Sequence, residues 1–87
     1  MKTVKTITVR YFASIREALG QGSETLHTAA PTLAALREEL LARGGPYAHS
    51  LAHGSAVRMA INQEMCRGDA PLPEGAEVAF FPPVTGG

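Results

Sequence analysis

The sequence predicts a two-layer α+β domain, in which one main helix covers one face of a sheet. Three observations support this class. The 87 residues suffice for one small domain. Segments with the two-residue apolar period of strands lie on both sides of a central segment with the period of a helix. The elements follow in the order strand, short helix, strand, long helix and further strands, without an internal repeat or a linker.

The first half of the chain contributes two strands and a short helix. Alternation of apolar and polar residues predicts a strand over 7–11. Helical spacing predicts one or two turns over 13–19, and Gly20 stands where a left-handed helix C-cap is expected. A weaker strand is predicted over 23–28, mainly on the β-propensity of its threonines.

The central segment, 32–43, predicts the longest helix. Its leucines recur at the i, i+3 and i+7 spacing that forms one apolar face. Thr32 is expected to cap the first turn, because its hydroxyl can accept a hydrogen bond from a free backbone N–H. Arg37 and the two glutamates after it are expected on the solvent side. The Gly-Gly-Pro run that begins at Gly44 is expected to end the helix.

The second half of the chain predicts three strands. A strand over 57–61 shows clear alternation, a short strand is expected within 63–66, and an unbroken apolar strand covers 78–81. Two prolines then stop the last strand. The segment 46–56 is the least regular and predicts at most a short helix.

Composition and charge exclude several functional classes. The chain has 8 Lys and Arg against 8 Asp and Glu, so it lacks the cationic surplus that binding to nucleic acid or to an anionic membrane requires. A single cysteine rules out an internal disulfide framework and a multi-cysteine zinc site. No apolar run is long enough for a membrane span. The N-terminus alternates instead of forming the continuous apolar core of a signal peptide, so a cytoplasmic location is expected.

The last six residues, 82–87, have the properties of an extended tail. Pro82 and Pro83 lack N–H donors and have a fixed φ, which favours a polyproline-like path. Such a tail reaches at most about 20 Å from its root. Gly86 and Gly87 carry no Cβ, so they can pass through a narrow channel in another protein. A terminal carboxylate presented in a partner's active site would use all of these properties, whereas a frayed, inert end remains the open alternative.

The strand before the tail is apolar on both faces. Val78 and Phe80 point to one face, and Ala79 and Phe81 point to the other. With one main helix predicted, only one face of the sheet is covered, and the other apolar face needs a partner. We assign Val78 and Phe80 to the core and Phe81 to a partner surface. The reverse assignment stays open at the sequence level.

The C-terminal run FFPPVTGG closely resembles the end of the MoaD/ThiS-type sulfur-carrier family, and most of all its molybdopterin synthase branch. The resemblance covers nearly the whole chain, with further matches in the runs VRYFA, RE, AINQ and EVAFF. The sequence departs from the family at Ala76, where an acidic residue often follows the turn glycine. We expect this change to lie on the surface.

The resemblance implies the β-grasp fold of ubiquitin, with a domain over 1–81 and a diglycine tail over 82–87. It implies that Gly87 is adenylated with ATP-Mg by an E1-like adenylyltransferase, and that a sulfur donor protein then converts it to a thiocarboxylate, a 1-thioglycine. The thiocarboxylate would give its sulfur to a cyclic pterin precursor within a heterotetramer with the large synthase subunit. The small subunit would need no bound cofactor, no metal and no catalytic side chain of its own. The tail residues implied to thread into the partner are Gly86, Thr85, Val84, Pro83 and Pro82, with Phe81 at the interface.

Three other functional classes stay open at this point. The chain could deliver sulfur for thiamin thiazole or another metabolite, act as a ubiquitin-like protein modifier, or be a plain interaction domain. His49 and His53 have the spacing of a shared helix face, but no third metal ligand lies near them in the sequence. Cys66 is expected to be an ordinary strand residue, and Met59 and Met65 are expected to fill the core.

Overall fold

A computed structural model describes residues 4–52 and 56–82, and within these ranges it contains five strands and three helices. In chain order they are β1 (Lys5–Tyr11), α1 (Ala13–Leu19), β2 (Ser23–Thr28), α2 (Leu33–Leu41), α3 (Gly45–Ser50), β3 (Arg58–Ile61), β4 (Glu64–Cys66) and β5 (Glu77–Phe81). The strands form one mixed sheet in the order β2-β1-β5-β3-β4. β1 and β5 are parallel, and the other pairs are antiparallel. This is the β-grasp arrangement, so the predicted α+β class is confirmed.

The core lies between the sheet and its helices, because one face of the two central strands is apolar. In β1 the burial alternates along the strand as the sequence predicts. The rings of Tyr11 and Phe80 stack with centroids 6.2 Å apart and form the centre of this layer. The fully buried side chains of the core are Tyr11, Phe80, Ile7, Leu33, Leu36, Leu40, Leu51, Val9 and Val78.

The start of α2 is held both by its own cap and by a distant loop. The Thr32 hydroxyl accepts a hydrogen bond from the backbone N–H of Ala35 at 3.2 Å, which confirms the predicted cap. The N–H groups of Leu33 and Ala34 have no partner within the helix. They donate to the carbonyls of Ala70 and Gly68 at 3.0 and 2.7 Å, so the loop after β4 fastens the helix to the sheet.

The prediction that Arg37 faces solvent is wrong. Its residue exposure is 8%, and its guanidinium donates to the carbonyls of Leu51 and Ala52 at 2.8 Å each. The cause is α3, which packs back against α2 and presents the carbonyls at its C-terminal end. α2 ends at Leu41 with Ala42 as its C-cap, earlier than the predicted stop at Gly44. The Gly-Gly-Pro run instead begins α3, with Pro46 in the first turn where a missing N–H is tolerated.

Two further expectations are corrected by the sheet register. Met65 is 57% exposed, because its antiparallel pairing with Ala60 turns its side chain away from the helices. Met59, one residue from Ala60 on the same strand, does pack against the core as expected. Ala76 is only 1% exposed and its carbonyl accepts from the N–H of Thr8 at 2.9 Å, so the departure from the family pattern is a core position.

A half-buried carboxylate ties the helical layer to the sheet. The Glu24 side chain accepts hydrogen bonds from the hydroxyls of Tyr11 at 2.7 Å and Tyr47 at 3.0 Å. It also accepts from the guanidinium of Arg43 at 3.0 Å and from the amide of Gln21 at 3.1 Å. Burial acts to raise the pKa of Glu24, but the hydrogen bonds outweigh it and hold that pKa below its usual value. The same contacts join β1, β2 and α3 at one point.

We expect Glu24→Gln to lower the free energy of unfolding at neutral pH by about 2 kcal/mol, since hydrogen bonds to a charged acceptor are the strong ones. The folded-state pKa of Glu24 is depressed, so its contribution is complete above the unfolded pKa and is lost as pH falls through the folded value. The stabilities of wild type and variant should therefore converge in acid. Urea denaturation at neutral and acidic pH measures this, with Glu17→Gln on the exposed side of α1 as the control. A difference that is constant across pH contradicts the assignment.

Candidate functional site

The candidate site begins at the end of β5, where the chain passes from Phe81 to Pro82. β5 lies between β1 and β3 in the sheet, and the carbonyl of Phe80 accepts from the N–H of Phe12 at 3.2 Å. The root of the predicted tail is therefore fixed on a central strand. Of the predicted tail residues, Pro82 is described and half-buried. Pro83, Val84, Thr85, Gly86 and Gly87 lie outside the described residues.

The face of the sheet opposite the helices carries a pair of stacked aromatic rings beside this root. Val78 and Phe80 are completely buried on the helical side, as predicted, so Phe81 points to the opposite face. Its ring stacks on that of Phe12 with centroids 4.6 Å apart and an interplanar angle of 13°. The guanidinium of Arg10 lies 5.8 Å from the centroid of the Phe12 ring. The two rings form a rigid apolar platform with one cation at its side.

The platform continues across the sheet toward its β4 edge. Ala79 of β5 pairs with Ala60 of β3 on this face, and both are largely covered by their neighbours, with exposures of 9% and 3%. Met65 of β4 pairs with Ala60 and stands exposed beyond it. We refer to Phe12, Ala60, Met65, Ala79 and Phe81 as the outer apolar surface. A contiguous apolar surface next to a chain end is typical of a protein-docking site.

Sequence reasoning identified Phe81 in this surface but missed Phe12 and Met65. Phe12 extends the outward alternation of Thr8 and Arg10 by one step, so the strand period carried a signal for it. Met65 lies in a three-residue strand that is too short to show a period. Its orientation depends on its pairing with β3.

The described residues contain no cluster of three or more His, Cys, Asp or Glu side chains that could hold a metal ion. His49 is exposed on α3, and His53 lies outside the described residues. Burial, together with the nearby Asp69 and Glu64, raises the pKa of the Cys66 thiol. A raised pKa keeps the thiol protonated at neutral pH, which is the opposite of what a sulfur nucleophile needs. Across 4–52 and 56–82, no helix is long and apolar enough to cross a membrane.

Comparison with known proteins agrees with this geometry. The molybdopterin synthase sulfur carrier subunit of Escherichia coli strain K12 is 42% identical over 81 residues, which is 93% of this chain and 99% of that protein. The solution structure of the Haloferax volcanii HVO 2177 protein is similar with a TM-score of 0.79 at 28% identity, covering 97% of this chain and 88% of that one. A complex of subunits 1 and 2 of molybdopterin-converting factor from Helicobacter pylori contains a chain that is similar with a TM-score of 0.63 at 26% identity, covering 94% of this chain and 99% of that one. The model of the ThiS family matches residues 9–87. With its β-grasp sheet and its FFPPVTGG ending, the chain belongs to the ThiS family.

Proposed function

We propose that this protein is the sulfur carrier subunit of a molybdopterin synthase, and that it carries sulfur on its own C-terminal glycine. The observation that carries the proposal is the FFPPVTGG run, whose first two residues, Phe80 and Phe81, end the central strand β5. The 42% identity to a protein of that name over nearly the full length of both chains supports it.

The chemistry at Gly87 requires activation, because a terminal carboxyl has a pKa of about 3.3–3.7 and is an unreactive anion at neutral pH. An E1-like adenylyltransferase would use ATP-Mg to join the carboxylate to AMP, with release of pyrophosphate. A sulfur donor protein would then supply sulfur to the carbonyl carbon, and the C–O bond to AMP would break. The product is a 1-thioglycine thiocarboxylate at Gly87, whose sulfur can attack a cyclic pterin precursor.

On its own the chain is not an enzyme in this proposal, because the large synthase subunit supplies the pocket and the catalytic side chains. Gly86 and the residues back to Pro82 would thread into that pocket. The outer apolar surface would dock on the partner, with Phe81 as one anchor. The complex of subunits 1 and 2 from Helicobacter pylori supports a large-subunit partner. We propose in addition that the two subunits form a heterotetramer in the cytoplasm.

The geometry supports a carrier because the residues before the tail are anchored in a central strand of the sheet. Phe80 is fully buried one residue before Phe81, so the docking surface and the tail share one anchor in the core. Docking of the outer apolar surface would thus orient the tail toward the partner's pocket at the same time. A rigid root reduces the conformational entropy that is lost on binding.

Intact-mass analysis tests this function. The protein is incubated with the activating enzyme, ATP-Mg and a sulfur source, and we expect one oxygen to be replaced by sulfur in the last residue. The same mixture without ATP is the control. Complete absence of the thiocarboxylate under activating conditions contradicts the proposal. Isopeptide links from Gly87 to lysines of other proteins would instead identify a protein modifier.

A further inference from the structure

Two arginines lie together at the β4 side of the tail root, and nothing in the described fold accounts for them. Arg58 of β3 pairs with Phe81 of β5. The last pair between β3 and β4 joins Met59 to Cys66. If this register is extended by one residue, Arg67 lies opposite Arg58. Both residues are exposed, and both line an open groove of about 750 Å³ at the open end of the β3–β4 hairpin. We refer to Arg58 and Arg67 as the arginine pair.

The pair is not neutralised within the described residues. The ion pairs there join Arg10 to Glu77 and Arg43 to Glu24, and neither member of the arginine pair takes part in one. Like charges that face each other across two strands are destabilising. Glu64 and Asp69 lie near enough to act on the Cys66 thiol, but no ion pair among the described residues joins either carboxylate to Arg58 or Arg67. The pair therefore leaves two exposed guanidinium groups that form no ion pair within the described residues and are available for binding.

We infer that the arginine pair is a docking element for a carboxylate-rich segment of the protein that receives the tail. This inference rests on the proposed function and names the chemistry of its partner. The groove continues the outer apolar surface, because Met65 belongs to both. Arginine presents a planar fork of donors that matches a carboxylate, so acidic side chains at the edge of a docked partner would fit two such forks. The outer apolar surface would supply the contact area with the partner. The arginine pair would speed association with the partner and fix its orientation through charge.

Titration of the large synthase subunit with wild type and with R58Q/R67Q, at low and high salt, tests the inference. We expect the double variant to bind about tenfold more weakly at low salt, mainly through slower association, and the difference to vanish at high salt, where charges are screened. A42E/H49E makes the same change in net charge at exposed positions on the helical side and should bind like wild type. R58K/R67K keeps the charge but not the fork, and should lie between wild type and R58Q/R67Q.

Thermal unfolding of the same variants separates docking from folding. R58Q/R67Q should be as stable as wild type, because both side chains are exposed and neither forms an ion pair within the described residues. If wild type and R58Q/R67Q bind the large subunit with equal affinity and equal salt dependence, the docking role of the arginine pair is overturned and the proposed function is not affected. The inference is also overturned if inorganic phosphate displaces the large subunit far more strongly than chloride at equal ionic strength, since the groove would then be a small-anion site. Wild-type protein that neither binds the large subunit nor gains sulfur overturns the proposed function, and this inference with it.

Discussion

Deletion of Gly87 is expected to abolish sulfur loading completely while leaving the fold intact. In the proposed function adenylation takes place on the terminal carboxylate, so a chain shortened by one residue presents that group about 3.5 Å short of the activating site. A displacement far smaller than this is enough to remove a reacting group from its productive geometry. Appending one residue after Gly87 should have the same effect, because it replaces the reactive terminus. Intact mass after incubation with activating enzyme, ATP-Mg and sulfur source measures loading in each variant.

A variant that keeps the length of the tail is the matched control for this experiment. Thr85→Ser preserves both the register of the terminus and the diglycine end, so it should load like wild type. Thermal unfolding should give equal midpoints for all of these proteins, because the changes lie after the last strand. Normal loading of either the shortened or the extended chain would refute the role of Gly87.

Alanine substitutions at the neighbouring residues Phe80 and Phe81 are expected to have opposite consequences. Phe80 is completely buried and stacks on Tyr11, so Phe80→Ala should lower the free energy of unfolding by about 3–5 kcal/mol. Phe81 faces away from the helices and stacks on Phe12. Phe81→Ala should leave a folded protein whose binding to the large subunit is weaker by about 1–3 kcal/mol.

Denaturant unfolding and calorimetric titration with the large subunit distinguish the two effects. The Phe81→Ala protein should unfold close to wild type and bind weakly. If it unfolds as readily as Phe80→Ala, or binds the large subunit with wild-type affinity, the assignment of Phe81 to the docking surface is wrong. Phe12→Ala is the complementary variant, because it removes the stacking partner and should weaken binding in the same direction.

The division between the two phenylalanines also explains why a small domain can serve as a carrier. Val78 and Phe80 on one face of β5 are buried in the core, whereas Phe81 on the opposite face is partly exposed. Two of the charged groups described above also lie on opposite sides of the sheet. Glu24 anchors the helical side, whereas the arginine pair flanks the docking side.

Local patterns were sufficient to predict most of the fold. The alternation in β1 and the leucine spacing of α2 depend on the side-chain period of each element, which does not require a neighbour. The cap at Thr32 depends on a contact three residues away. The opposite orientations of Phe80 and Phe81 follow from the two-residue period of a strand. The prolines and glycines of the tail predicted that the C-terminal glycine is the reactive residue. The resemblance to the family implied that it carries sulfur as a thiocarboxylate.

The tertiary structure decided everything that depends on contacts between distant segments. Arg37 is buried because α3 folds back and presents carbonyls to its guanidinium. No local sequence pattern predicts that contact. Met65 faces the docking side because β4 pairs with β3 in one register. The ring of Phe12 meets that of Phe81, 69 positions later in the chain, only because β1 and β5 are parallel neighbours. The sequence by itself determined most of the elements, the alternation of β1 and the leucine face of α2, because these depend on residue type and short-range spacing. It also predicted the chemistry now proposed for the terminus. The outer apolar surface and the arginine pair proposed beside it depend on strand order and register, because sheets bring together side chains that are remote along the chain.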